Sequence, residues 1–61
     1  MLTYQLDFMN DHGSRSILFV TMCFGDHDAV SLADAFIGRY ARVQVWRGDT
    51  LIHEGARPKP H

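Results

Sequence analysis

From Leu2 to Phe8 the chain alternates: Leu2, Tyr4, Leu6 and Phe8 are apolar, while Thr3, Gln5 and Asp7 are polar. Successive side chains of a strand point to opposite faces, so this spacing predicts a half-buried strand with a polar outer face. The stretch ILFVTMCF, Ile17 to Phe24, departs from that alternation and is apolar everywhere except Thr21. Its Ile, Phe, Val and Thr content favours strand over helix, and as a strand it would carry apolar groups on both faces. A strand of that kind is expected to be the more central of the two. Between them, Asn10-Asp11-His12-Gly13-Ser14-Arg15 supplies residues that tolerate left-handed backbone and fold their side chains onto their own main chain. The two strands should therefore pair antiparallel.

Gly25 ends the second strand, and Asp26 or Asp28 is positioned to cap a helix by accepting backbone N–H bonds. Ala29, Leu32, Ala33, Phe36, Ile37 and Tyr40 fall at helical spacing along one stripe, which predicts an amphipathic helix of about three turns. Gly38 fits the left-handed stop just past its last turn. The segment ARVQVWRGDTLIHEG then reads as a hairpin turning at Gly48-Asp49, with glycine first as a mirror-type turn prefers. That register sets Arg47 opposite Thr50, Trp46 opposite Leu51, Val45 opposite Ile52 and Gln44 opposite His53. Val43, Val45 and Ile52 would share one face, and Trp46 and Leu51 the other.

The order strand, strand, helix, strand, strand predicts an α+β domain over residues 1–56: a four-stranded antiparallel sheet with one helix on one face. Residues 57–61, with two prolines, should form a flexible tail. The helix would meet Leu2, Tyr4, Leu6, Phe8, Val43, Val45 and Ile52. The opposite face would hold Trp46, Leu51 and half of the apolar run, either Ile17, Phe19 and Cys23 or Leu18, Val20, Met22 and Phe24.

At 61 residues one domain is the natural count, and a core this small leaves stability marginal unless a metal, a disulfide or a second subunit adds to it. The single cysteine, Cys23, excludes an internal disulfide and reads as a buried thiol in a reducing compartment. The start MLTYQLDF lacks the basic and long apolar regions of a secretory signal, and no run of apolar residues is long enough to cross a bilayer. A cytoplasmic protein with no membrane role is the expectation. The net charge of −1 conceals a split. Residues 1–34 carry five aspartates against Arg15 alone, whereas residues 35–61 carry four arginines and Lys59 against Asp49 and Glu54. No basic stripe results, so direct nucleic-acid binding is not expected.

Candidate chemistry is sparse. Cys23 and His27 stand four apart with Asp26 and Asp28 beside them, the donor set a metal-dependent regulator would use. Zinc sites normally show closely paired ligands twice over, and that spacing is missing, so neither a metal nor a cofactor is expected. Arg47-Gly48-Asp49 spells an adhesion tripeptide but reads here as turn chemistry. Ser14, Ser16 and Ser31 sit in no nucleophile motif, and His12 and His53 have no sequence-specified partner, so no enzymatic activity is expected. The candidate partner-binding residues are Asp26, Asp28 and Asp34 near the helix start, for a basic partner, and Trp46 with Leu51 as an apolar anchor.

The stretches TYQLDFMNDHG and ARVQVWRGDTLIHEG resemble many short bacterial and phage proteins of strand-strand-helix-strand-strand layout. In size and layout alone, the chain also resembles phage-borne anti-CRISPR inhibitors. That resemblance implies a compact non-enzymatic inhibitor that blocks a bacterial defence complex, a nucleic-acid-binding assembly, through surface contacts. Two alternatives stand beside it: a structural homodimer packed sheet to sheet, and the metal-dependent regulator using Cys23 and His27.

Overall fold

The computed structural model describes residues 1–57. Strands β1 (Leu2–Met9) and β2 (Arg15–Cys23) precede helix α1 (Asp26–Phe36), a short 3-10 turn (Ile37–Arg39), and strands β3 (Arg42–Arg47) and β4 (Thr50–Ala56). All neighbours pair antiparallel in the order β2-β1-β3-β4. The α+β fold read from the sequence is the fold observed.

The first loop closes as its residues predict. Asn10 Oδ1 accepts the backbone N–H groups of His12 and Ser14 at 2.9 and 3.1 Å, and Gly13 takes a φ of 81°, which a glycine adopts without steric cost.

The central strand is β1, not β2. Both β2 and β3 run antiparallel to β1, so they are parallel to each other. The connection between them contains α1, which carries the chain across β1 and sets β3 on its far side. The apolar run thus lies at a sheet edge. Pairing of Leu6 with Phe19 and of Phe8 with Ile17 turns Ile17, Phe19 and Cys23 toward the helix, and Leu18, Val20 and Met22 toward the other face. Only Cys23 is buried among them.

Beneath the helix the core is compact. Tyr4, Leu6, Val43 and Val45 are fully buried, as are Ala29 and Ala33 of α1, with Phe8 nearly so. Two alanines on the inner stripe let the helix backbone approach the sheet closely. Leu32, Ile37, Tyr40 and Ile52 pack around that centre, and the Phe8 and Tyr40 rings lie 4.9 Å apart in a tilted arrangement, a favoured aromatic geometry. Leu2 and Phe36, expected inside, are largely exposed at the ends of their elements.

Four local expectations are corrected. The helix begins with Gly25 at the cap position and no side-chain cap bond, because the Asp26 carboxylate is drawn to Tyr4 and Arg47 instead. Gly38 is not a left-handed stop: positive φ among the glycines occurs only at Gly13 and Gly48, and the helix tightens into the 3-10 turn before ending. The hairpin turns at Gly48 (φ 61°) with Trp46 opposite Leu51, as expected, but a bulge follows. Val45 then pairs with His53 and Gln44 with Glu54, leaving Ile52 as the extra residue. Finally, Arg57 is not loose. Its N–H donates to Ala41 O at 2.8 Å and its guanidinium to Asp11 Oδ1 at 2.8 Å. The remainder of the expected tail, residues 58–61, lies outside the described residues.

Candidate functional site

At the start of α1, Tyr4 rises from the middle of the sheet and donates its hydroxyl to Asp26 Oδ1 at 2.6 Å. Arg47, at the end of β3, donates Nη1 to both Asp26 oxygens at 2.8 and 2.9 Å. The Tyr4 hydrogen bond and the Arg47 guanidinium hold the Asp26 carboxyl below its usual range, against the opposing effect of desolvation. Burial, and then the hydrogen bond to the Asp26 carboxylate, push the Tyr4 hydroxyl up. Three elements are tied together here, and Asp26 is committed to holding the helix on the sheet.

Asp28 is exposed in the first helical turn, where its charge suits the helix dipole. Asp34, also exposed, lies two turns further along, with Oδ1 at 3.6 Å from His53 Nε2. The bulge on β4 turns His53 inward over Val45. Its Nε2 is buried without a hydrogen-bond partner among the described residues. Gly55 leaves room for that ring, since a Cβ there would stand 3.2 Å from Nε2.

Trp46 and Leu51 face each other across β3 and β4 on the side away from the helix. Trp46 is half-buried, and its Nε1 reaches Gln44 Oε1 at 3.4 Å. Glu54 accepts from Gln44 and from Arg42, both at 2.8 Å. The Gln44 hydrogen bond and then the Arg42 charge hold its carboxyl low. The same face carries Leu18, Val20 and Met22 on β2, but β1 lies between, and its outward residues are Thr3, Gln5 and Asp7. Asp7 is buried there, within hydrogen-bond distance of Gln5 Nε2 (3.2 Å) and Arg15 Nη2 (3.4 Å). The helix-free face thus has two apolar patches divided by a polar row about one strand spacing wide.

The five candidate partner-binding residues consequently fall on two sides of the molecule. Asp26, Asp28 and Asp34 belong to the helix layer, and Trp46 and Leu51 to the opposite face. A single flat partner surface meets one group or the other. Cys23 is buried and His27 exposed, and among the described residues no cluster of three or more His, Cys, Asp or Glu has the proximity to hold a metal ion. Between α1 and β2 runs an open groove of about 180 Å³ bordered by Ile17, Phe19, Leu32 and Phe36, smaller than the ~300 Å³ at which small-molecule sites begin. No helix among the described residues is long and apolar enough to cross a membrane.

Sequence reasoning missed the roles of Tyr4, Arg47 and His53. Tyr4 fits an apolar alternation so well that its hydroxyl drew no attention, and the His53 orientation depends on a bulge with no sequence signature of its own. Comparison with protein-family models finds no match, and comparisons with curated proteins and with solved structures find none either.

Proposed function

We propose that this chain is a small non-enzymatic module that binds another protein through its helix-free face, and that it works as an inhibitor of the anti-CRISPR type its size and layout resemble. The observation that carries this reading is the Trp46–Leu51 pair, an aromatic and an aliphatic side chain opposed on a face that no other element of the described residues covers. Tryptophan is enriched among the residues that anchor interfaces. Ion-paired Arg42 and Glu54 beside it would form a polar rim around that anchor. The partner is a protein with an apolar depression matching one aromatic ring.

The sheet-to-sheet homodimer is the weaker reading, because it would seal the polar row of Thr3, Gln5 and Asp7 against a copy of itself, and buried polar groups without new partners are costly. The metal-dependent regulator is weaker still, with Cys23 in the core and His27 turned to solvent. A photo-crosslinking residue at Leu51, introduced in bacterial cells carrying defence nucleases, tests the proposal. The expected product is an adduct with a component of the defence complex, lost in Trp46→Ala, together with relief of nuclease interference by the parent chain. Interference left untouched, with no adduct, would overturn it.

A further inference from the structure

The two edges of the sheet are treated differently. β4 is bulged and carries His53, Glu54 and Gly55, devices that discourage strand addition. β2 is less protected: its pairing irregularity, at Ser16, lies at the Arg15 end, and from Ile17 to Cys23 the strand is uncharged and without proline. Its apolar side chains are exposed toward both faces, with Val20 at 59% and Met22 at 57% on one side and Ile17 and Phe19 on the helix side, while Phe24 just beyond is 79% exposed. A helix or a flat surface covers one face of a strand. Only another strand, with its period of two, covers both while also satisfying the edge N–H and C=O groups.

The geometry points to a second copy of this chain as that strand: β2 pairs antiparallel with β2 of a two-fold-related molecule, with Val20 on the axis, giving a continuous eight-stranded sheet. This goes beyond the proposed function and does not rest on it, since the edge and the Trp46–Leu51 patch are separate surfaces. Apolar self-complementarity selects a copy of itself over a foreign strand, because this register sets Leu18 against Met22 and Ile17 against Cys23, and the same matches recur on both sides of the axis by symmetry. Arg15, at the end of β2, keeps its pairing with Asp7 on the helix-free face. With the axis normal to the sheet, both helices lie on one face and the two apolar grooves at Ile17 and Phe19 adjoin. The exposed parts of six large side chains plus a full edge approach the ~800 Å² that each partner gives to a standard interface, and a second subunit is one of the usual supports for a domain of this size.

Sedimentation equilibrium over micromolar concentrations tests the pairing, on the parent, Val20→Lys and Leu51→Lys. The parent and Leu51→Lys are expected to be dimers, with Val20→Lys raising the dimer Kd by about a hundredfold or more, since it opposes two lysines across the axis. Val20→Cys provides a readout that does not depend on tolerating a charge: mild oxidation should yield a covalent dimer, whereas the parent, with Cys23 buried, should yield none. A monomeric parent overturns the pairing. So does a dimer that Leu51→Lys dissolves and Val20→Lys leaves intact, or failure of Val20→Cys to cross-link. Loss of dimerisation with the Leu51 adduct retained would remove this pairing alone and leave the proposed function standing.

Discussion

The Tyr4 hydroxyl and Asp26 Oδ1, twenty-two residues apart in the chain, meet at 2.6 Å and fix where the helix lands on the sheet. Arg47 donates to both oxygens of the same carboxylate. The pair has a definite pH signature. Asp26 has a lowered pKa in the folded protein, so its contribution is fully present above the unfolded aspartate pKa and is lost as pH falls through the lower folded value. Tyr4 has a raised pKa, so its contribution is present below the unfolded tyrosine pKa and is lost as pH rises through the folded one. Thermal melts across pH should show a plateau bounded by these two limbs. Asp26→Asn should lower Tm on the plateau and flatten the acid limb; an acid limb unchanged in that variant would show that other carboxylates govern it.

Leu6 sits at the centre of the sheet with no exposed surface. Leu6→Ala is expected to cost ~2–5 kcal/mol, against a total of roughly 3–9 kcal/mol for a domain of this length. Urea unfolding should show most of the stability gone. A loss under ~1 kcal/mol would place the core elsewhere.

Gly48 and Gly38 should respond in opposite directions. Gly48 has a φ of 61°, so Gly48→Ala forces an L-residue into left-handed backbone and should cost roughly 1–2 kcal/mol. Gly38 has ordinary φ, and nothing lies within 4 Å of an added Cβ. Gly38→Ala should be neutral or stabilise by ~0.4–1 kcal/mol. Parallel denaturation curves settle the comparison, and equal losses in both would contradict the assigned backbone.

Trp46 is half-buried on the helix-free face and touches Gln44 through its indole nitrogen. Trp46→Ala should stay folded, costing less than the ~3–5 kcal/mol of a core tryptophan, and should lose partner binding. Circular dichroism with a binding assay separates the two effects. An unfolded variant would assign Trp46 to the core.

Zinc should not change stability, because Cys23 is buried and its sequence neighbour His27 points to solvent. Melts with zinc and with chelator should coincide. A rise of several degrees that disappears in Cys23→Ser would reveal a site.

The sequence determined whatever depends on spacing along the chain. Alternation at Leu2–Phe8, the helical stripe from Ala29 to Tyr40, and the Gly48-Asp49 turn each reflect a local period or backbone preference, and from them the element order and the inner face of β1 and β3 follow. Leu51 opposite Trp46 came from the same source, since a two-residue turn fixes the first pairs of a hairpin. The tertiary structure decided what depends on which strands become neighbours. Ile17–Phe24 reads as a central strand because it is apolar on both sides, but α1 carries the chain across β1 and leaves that strand at the edge. The Asp26 carboxylate has a choice between capping its own helix and meeting Tyr4 and Arg47, and only the packed arrangement brings those partners within reach. The bulge at Ile52 likewise turns His53 inward, through a one-residue offset that no local propensity encodes. Periodicity constrains a residue's face; neighbours across the sheet are chosen by topology, and the exposed edge of β2 follows from that choice.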